Sequence, residues 1–91
     1  MDNFRIFETE QFLKDLMQDF SGQQERIKIK LQAYVYPLRQ NPYFGKNIKK
    51  LTNYTPQTWR YRIGSYRFFY EIDGPKKTIF MIAAESRQEA Y

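Results

Sequence analysis

Arg60, Arg62 and Arg67 lie within eight residues of one another, on either side of Gly64-Ser65. Arg60 and Arg62 are two apart, so in a strand they share a face. Arg67 joins them only if the hairpin register turns it the same way, and the sequence leaves that register open. If it does, three guanidiniums converge with no acid among them. Like charges on neighbouring strands repel, so stability alone does not favour such a cluster. A bound phosphate relieves the repulsion, and a guanidinium meets phosphate through two parallel hydrogen bonds. The alternative is an ordinary solvated sheet face.

Other residues can extend that chemistry. Lys46, Lys49 and Lys50 crowd the stretch before the arginines. Glu85-Ser86-Arg87-Gln88-Glu89-Ala90-Tyr91 follows an apolar run directly. Arg87 can add a fourth cation there, and Tyr91 can stack on a base or exchange a proton; an ordinary frayed terminus is the plainer reading. Trp59, Tyr61, Tyr66, Phe68 and Tyr70 can form a stacking platform for bases, but their alternation fits a core face covered by helices better. Cysteine and histidine are both absent. No disulfide or thiolate chemistry is available, and a zinc site is not expected. No GxGxxG, P-loop, HExxH or GxSxG pattern occurs.

The charge balance points the same way. Residues 1–20 carry two bases and five acids, a net −3; residues 21–70 carry ten bases and one acid, a net +9; residues 71–91 carry three bases and four acids, a net −1. A middle segment this basic suits a polyanionic partner. At 91 residues, 42% hydrophobic and 27% charged, the chain reads as one globular domain over 1–91. Met1 to Glu10 does not resemble a secretory signal. The longest apolar run, Ile79 to Ala84, is far too short to span a bilayer. A cytoplasmic protein with no membrane partner is expected.

The elements that must hold these residues follow from periodicity. Asn3 to Phe7 reads as a short strand with Phe4 and Ile6 on one face. Thr9 can cap a helix whose apolar stripe is Phe12, Leu13, Leu16, Met17 and Phe20, with Lys14, Asp15 and Asp19 on the other side; Ser21-Gly22 ends it. A second helix is predicted from about Gln23 to Leu38, with Ile27, Leu31, Tyr34, Val35 and Leu38 inward and Pro37 near its end. The short connection makes the two an antiparallel hairpin. Asn41 to Pro56 reads as a lysine-rich loop that Leu51 tucks onto the core. From Thr58 the period changes to two, giving strands on both sides of Gly64-Ser65, and Asp73-Gly74-Pro75 turns the chain into a mostly apolar strand over Thr78 to Ala84. The fold class is α+β: an N-terminal strand and a helix hairpin packed on a small, largely antiparallel sheet.

Taken in order, Asn41-Pro42, Gly45, Lys49-Lys50-Leu51, the run Trp59-Arg60-Tyr61-Arg62-Ile63-Gly64-Ser65-Tyr66-Arg67-Phe68-Phe69-Tyr70-Glu71-Ile72, and Ser86-Arg87 with Tyr91 resemble the RelE/ParE toxin superfamily. The resemblance covers nearly the whole chain and favours the RelE-like branch. It implies a toxin paired with an antitoxin, expected here to be acidic, with oligomers formed through that partner. RelE-like members cut mRNA in the ribosomal A site, whereas ParE-like members inhibit DNA gyrase and are not known as nucleases. Carried over, Arg60 and Arg62 match positions that contact the RNA backbone; Lys46, Lys49 and Lys50, from the lysine-rich stretch before them, are expected as further RNA contacts. Arg67 matches the arginine that stabilises the scissile phosphate, and Arg87 and Tyr91 match the pair that completes the catalytic site. The implied activity is a metal-independent endoribonuclease that needs no cofactor. Ser86 stands where many members have histidine, which leaves Tyr91, Glu85 and Glu89 as proton-transfer candidates. Arginine stays protonated and is a poor base. Cations around Tyr91 would favour its phenolate, which makes it the candidate base. An inactivated relative that only binds its antitoxin is the remaining alternative.

Overall fold

The computed structural model describes residues 3–19, 37–64 and 66–86. Strand β1 (Arg5–Glu8) leads into helix α1 (Glu10–Asp19), and four further strands follow: β2 (Ile48–Lys50), β3 (Trp59–Ile63), β4 (Tyr66–Asp73) and β5 (Thr78–Ser86). They form one sheet in the order β1-β5-β4-β3-β2. β1 runs parallel to β5, and every other neighbouring pair is antiparallel. This is the α+β architecture expected from the sequence. The helix hairpin, its Ser21-Gly22 connection and the Gln23–Tyr36 part of the second helix lie outside the described residues. Among the described residues no helix is long and apolar enough to cross a membrane.

Thr9 caps α1 as its side chain predicts. Its hydroxyl accepts from Phe12 N–H at 3.3 Å and donates to the Met81 carbonyl at 2.7 Å. The cap therefore also pins the helix to β5. The buried stripe of α1 is narrower than its apolar residues suggest. Phe12 is fully buried and Leu16 packs on the core, but Leu13 and Met17 are exposed. Asp15, expected on the outer side, instead accepts from the Ala84 backbone N–H at 3.0 Å. Buried backbone donors need partners, and here a helix carboxylate supplies one to the sheet.

The second helix ends within the described region. Residues 37–40 are helical, and Leu38 among them is fully buried. Asn41 stops the helix by accepting from Tyr43 and Phe44 N–H groups, a turn-forming use of its short side chain. Arg39 and the start of the chain are joined twice: Phe4 N–H donates to the Arg39 carbonyl at 3.0 Å, and Arg39 Nε donates to the Phe4 carbonyl at 3.1 Å.

One face of the sheet makes the core. Tyr61, Phe68, Tyr70, Ile79, Met81 and Ala84 are buried there with Phe4, Phe12 and Leu38. Burying a side chain of this size contributes about 1.5–3 kcal/mol. The aromatic alternation is thus core rather than a base-stacking platform. The stretch read as a loop from Asn41 to Pro56 contains β2, whose Ile48, Lys49 and Lys50 pair with Tyr61, Arg60 and Trp59. Three residues, two of them lysine, carry too little strand signal to be read alone, and lysine suits a sheet edge. Leu51 is half-buried as expected, and its N–H donates to the Thr58 carbonyl.

Candidate nucleic-acid interface

The β3–β4 turn decides where the arginines point. Gly64 sits at φ 57°, a left-handed conformation that glycine adopts without steric cost. With that turn, Arg62 lies opposite Arg67, and Arg60 lies opposite Phe69. Residues directly opposite in an antiparallel pair project from the same face. The question left open by the sequence is answered: all three arginines share the outer face, away from the core.

The edge strand extends this face. Lys49 lies opposite Arg60, and Arg62 N–H donates to the Asn47 carbonyl at 3.0 Å. Lys46, Asn47, Ile48, Lys49, Arg60, Arg62 and Gly64 line an open depression of about 610 Å³. Its four cations make it electropositive. Arg62 Nε donates to the Gly64 carbonyl at 3.2 Å, which fixes the guanidinium near the turn. Among the described residues, Arg60 Nε and Arg67 Nε are both buried without a hydrogen-bond partner, polar groups whose desolvation an anion at the guanidiniums would help to offset.

Lys50 does not join the depression. It lies opposite Trp59 on the other face, with Nζ 5.7 Å from the indole ring centroid, a distance suited to a cation–π contact. Trp59 itself packs edge-on against Tyr43 at 5.5 Å. The sequence grouped three lysines; the pleat separates Lys50 from Lys49. Phe69, half-buried opposite Arg60, is an aromatic on the basic face that the sequence reading treated only as part of a strand.

Arg67 lies beside the depression rather than in its lining, and it is not free of acids. Its guanidinium forms an ion pair with Glu85 on β5, with side-chain exposures of 32% and 45%. The expectation of three arginines with no acid among them is corrected here. A β-bulge causes the difference. Near the Asp73–Thr78 turn the register pairs Glu71 with Phe80 and Tyr70 with Met81, but beyond it Phe69 pairs with Ala83 and Arg67 with Glu85. One extra residue on β5, Ile82, is absorbed between them. Without the shift Arg67 would lie opposite Ala84, and Glu85 would project from the core face.

Tyr70 is a tyrosine whose role is structural. Its hydroxyl donates to the Pro42 carbonyl at 2.8 Å in the buried core. Burial, with a smaller contribution from Tyr61, pushes its phenol well above the ordinary value, so it stays a neutral donor. Arg87 and Tyr91, expected to complete the site, lie outside the described residues.

The comparisons with known proteins agree with this architecture. The toxin–antitoxin complex RelBE2 from Mycobacterium tuberculosis superposes with a TM-score of 0.76 at 22% identity, over 93% of this chain and 99% of that one. A YoeB/ParE toxin from Agrobacterium tumefaciens gives 0.72 at 16% identity, over 93% and 100%. A mutant of the E. coli toxin RelE in the free state gives 0.70 at 19% identity, over 97% and 87%. At these identities the likeness is one of fold. No curated protein matches the chain. The model of the family described as the ParE toxin of the type II toxin–antitoxin system parDE matches residues 8–91. On that match, the chain belongs to the ParE toxin family within the RelE/ParE superfamily, and is a toxin of a type II toxin–antitoxin system.

Proposed function

We propose that this toxin is a ribosome-dependent mRNA endoribonuclease that arrests translation in the cytoplasm. The observation that carries the reading is the register that sets Arg67 opposite Arg62 and Arg60 opposite Lys49 on one outer sheet face. Lys46, Lys49, Arg60 and Arg62 hold the RNA backbone at the depression, while Arg67 stands beside it for the scissile phosphate. Phe69 offers a ring for an unstacked base.

The reaction is an internal transesterification. A base takes the proton of the 2′-hydroxyl, and the 2′-oxygen attacks the adjacent phosphorus. The bond from phosphorus to the 5′-oxygen breaks, and that oxygen takes up a proton. The products are a 2′,3′-cyclic phosphate and a free 5′-hydroxyl. Arg67 donates to the non-bridging oxygens as their charge grows, where positioned donors act most strongly. By the resemblance, Arg87 and Tyr91 complete the site, with Tyr91 as the base. The ribosome supplies orientation, which lowers a barrier by about 7–11 kcal/mol in well-aligned cases. The reaction exchanges one phosphorus–oxygen bond for another and moves two protons, and it calls on no metal or cofactor.

The natural counterpart of the cationic face is an acidic antitoxin that neutralises and covers it, and toxin–antitoxin oligomers form through that partner. Fold relatives solved as toxin–antitoxin complexes, including the intact RelBE complex of E. coli, support an antitoxin partner.

The family match supports a second reading, a gyrase inhibitor in which the same face makes contacts and cleaves nothing. By the resemblance, Ser86 takes the place where many members have histidine, which favours it too. Induction in cells, with protein synthesis, mRNA ends and DNA supercoiling followed together, separates the two. Early translation arrest with mRNA ends in register with codons is expected. Early loss of supercoiling with intact mRNA would replace the nuclease reading with gyrase inhibition.

A further inference from the structure

Of the three arginines on the outer face, Arg67 is the one held by a carboxylate among the described residues. Arg60 lies opposite Phe69 and Lys49, and Arg62 opposite Arg67; among the described residues neither forms an ion pair with a carboxylate. The asymmetry falls between the cations that hold backbone and the one assigned to the reacting phosphate. It is produced by the bulge at Ile82, which turns Glu85 from the core face onto Arg67. An exposed ion pair of this kind contributes little to stability, so the fold alone gives weak reason for it.

We propose that Glu85 is a positioning residue that reserves Arg67 for the transition state. This rests on the nuclease reading above. A phosphodiester and a carboxylate each carry one negative charge. When RNA binds, Arg67 exchanges one singly charged partner for another, and the exchange is close to neutral. As the 2′-oxygen adds to phosphorus, the phosphoryl oxygens acquire further negative charge. The phosphate then outcompetes Glu85, and Arg67 moves fully onto it. An interaction that strengthens only on the way to the transition state raises kcat, whereas one present throughout lowers KM without raising kcat. Glu85 thus subtracts Arg67 from ground-state binding.

Glu85→Gln keeps the side-chain shape and removes the charge. Binding is measured on ribosomes programmed with an mRNA carrying a 2′-deoxy nucleotide at the scissile position, and cleavage with the unmodified mRNA. The variant should bind about two- to fivefold more tightly, the range an exposed charge pair supplies. Its log–log salt dependence should steepen by about 0.7, one more phosphate contact on a single strand. KM should fall while kcat falls or stays level. Arg67→Ala should cost little affinity in the wild-type background and should abolish the gain in the Glu85→Gln background. Glu85→Asp should restore wild-type affinity. If the wild type cleaves but Glu85→Gln binds no tighter, or binds tighter equally without Arg67, the role of Glu85 is overturned while the nuclease reading stands. If the wild type neither binds nor cleaves on programmed ribosomes, both fall.

Discussion

Arg62 and Arg67 stand directly opposite each other across the β3–β4 hairpin. Adjacent like charges on paired strands repel, and Glu85 meets Arg67 from the β5 side while Arg62 turns its Nε to the Gly64 carbonyl. The two arginines therefore share a face but differ in partners, and they should differ in what their loss does. Arg67→Ala should lower the single-turnover cleavage rate by about 10²–10³-fold, by analogy with lost oxyanion donors, with little change in affinity for programmed ribosomes. An Arg67→Ala protein that cleaves at the normal rate when saturated would refute the mechanism.

Arg60→Ala and Arg62→Ala should act on binding. On the proposed function each holds one phosphate, so each loss should weaken affinity and lower the log–log salt dependence by about 0.7 on single-stranded RNA. A titration series across salt concentrations reads this directly.

The two lysines of β2 should separate. Lys49 lines the depression and Lys50 lies over the Trp59 ring on the other face. Lys49→Ala should weaken RNA binding and flatten its salt dependence. Lys50→Ala should leave binding near wild type and reduce stability by about 0.5–1 kcal/mol, the range of an exposed cation–π contact. Equal losses of binding from both would contradict the assigned faces.

How much of this the sequence disclosed varies by residue. Tyr61, Phe68 and Tyr70 alternate so regularly that their burial is legible in the sequence, and Thr9 announces its own cap. Arg67 could not be placed, because its direction depends on the hairpin register. Glu85 was harder still: counting back from the Asp73–Thr78 turn puts it on the wrong face, and only the bulge at Ile82 corrects the count. Asp15 misled because charge was taken to mean solvent, although a carboxylate on the inner side of a helix can serve a buried N–H. Ile48-Lys49-Lys50 was too short and too charged to announce a strand.

Asp15 gives a stability test. Asp15→Ala leaves the buried Ala84 N–H without its acceptor, at a cost of about 1–3 kcal/mol. Asp15→Asn keeps an acceptor oxygen and should cost less. Urea denaturation of both variants checks the order.

Tyr70 gives a pH test. Its folded-state phenol titrates above the ordinary value, so the unfolded chain loses this proton first. The neutral phenol's contribution is complete below about pH 10, the unfolded value, and declines as pH rises from there towards the folded value. Tyr70→Phe should cost about 1–3 kcal/mol at neutral pH, because the buried Pro42 carbonyl loses its donor. Its stability should also fall less steeply than that of the wild type above pH 10. Denaturation midpoints measured from pH 8 to 11 decide.

The parallel pairing of β1 with β5 has a consequence for how the molecule is assembled. Arg5 meets Thr78 and Glu8 meets Met81, so the first strand waits for the last before it has a partner. The β3–β4 hairpin, closed by one tight turn, faces no such wait. Local pairings form quickly and distant ones late. The arginine-bearing hairpin is thus poised to exist before the sheet is complete. Closure of β1, with the Thr9 hydroxyl donating to Met81, is expected last, because it joins strands that are neighbours in the sheet but farthest apart in sequence.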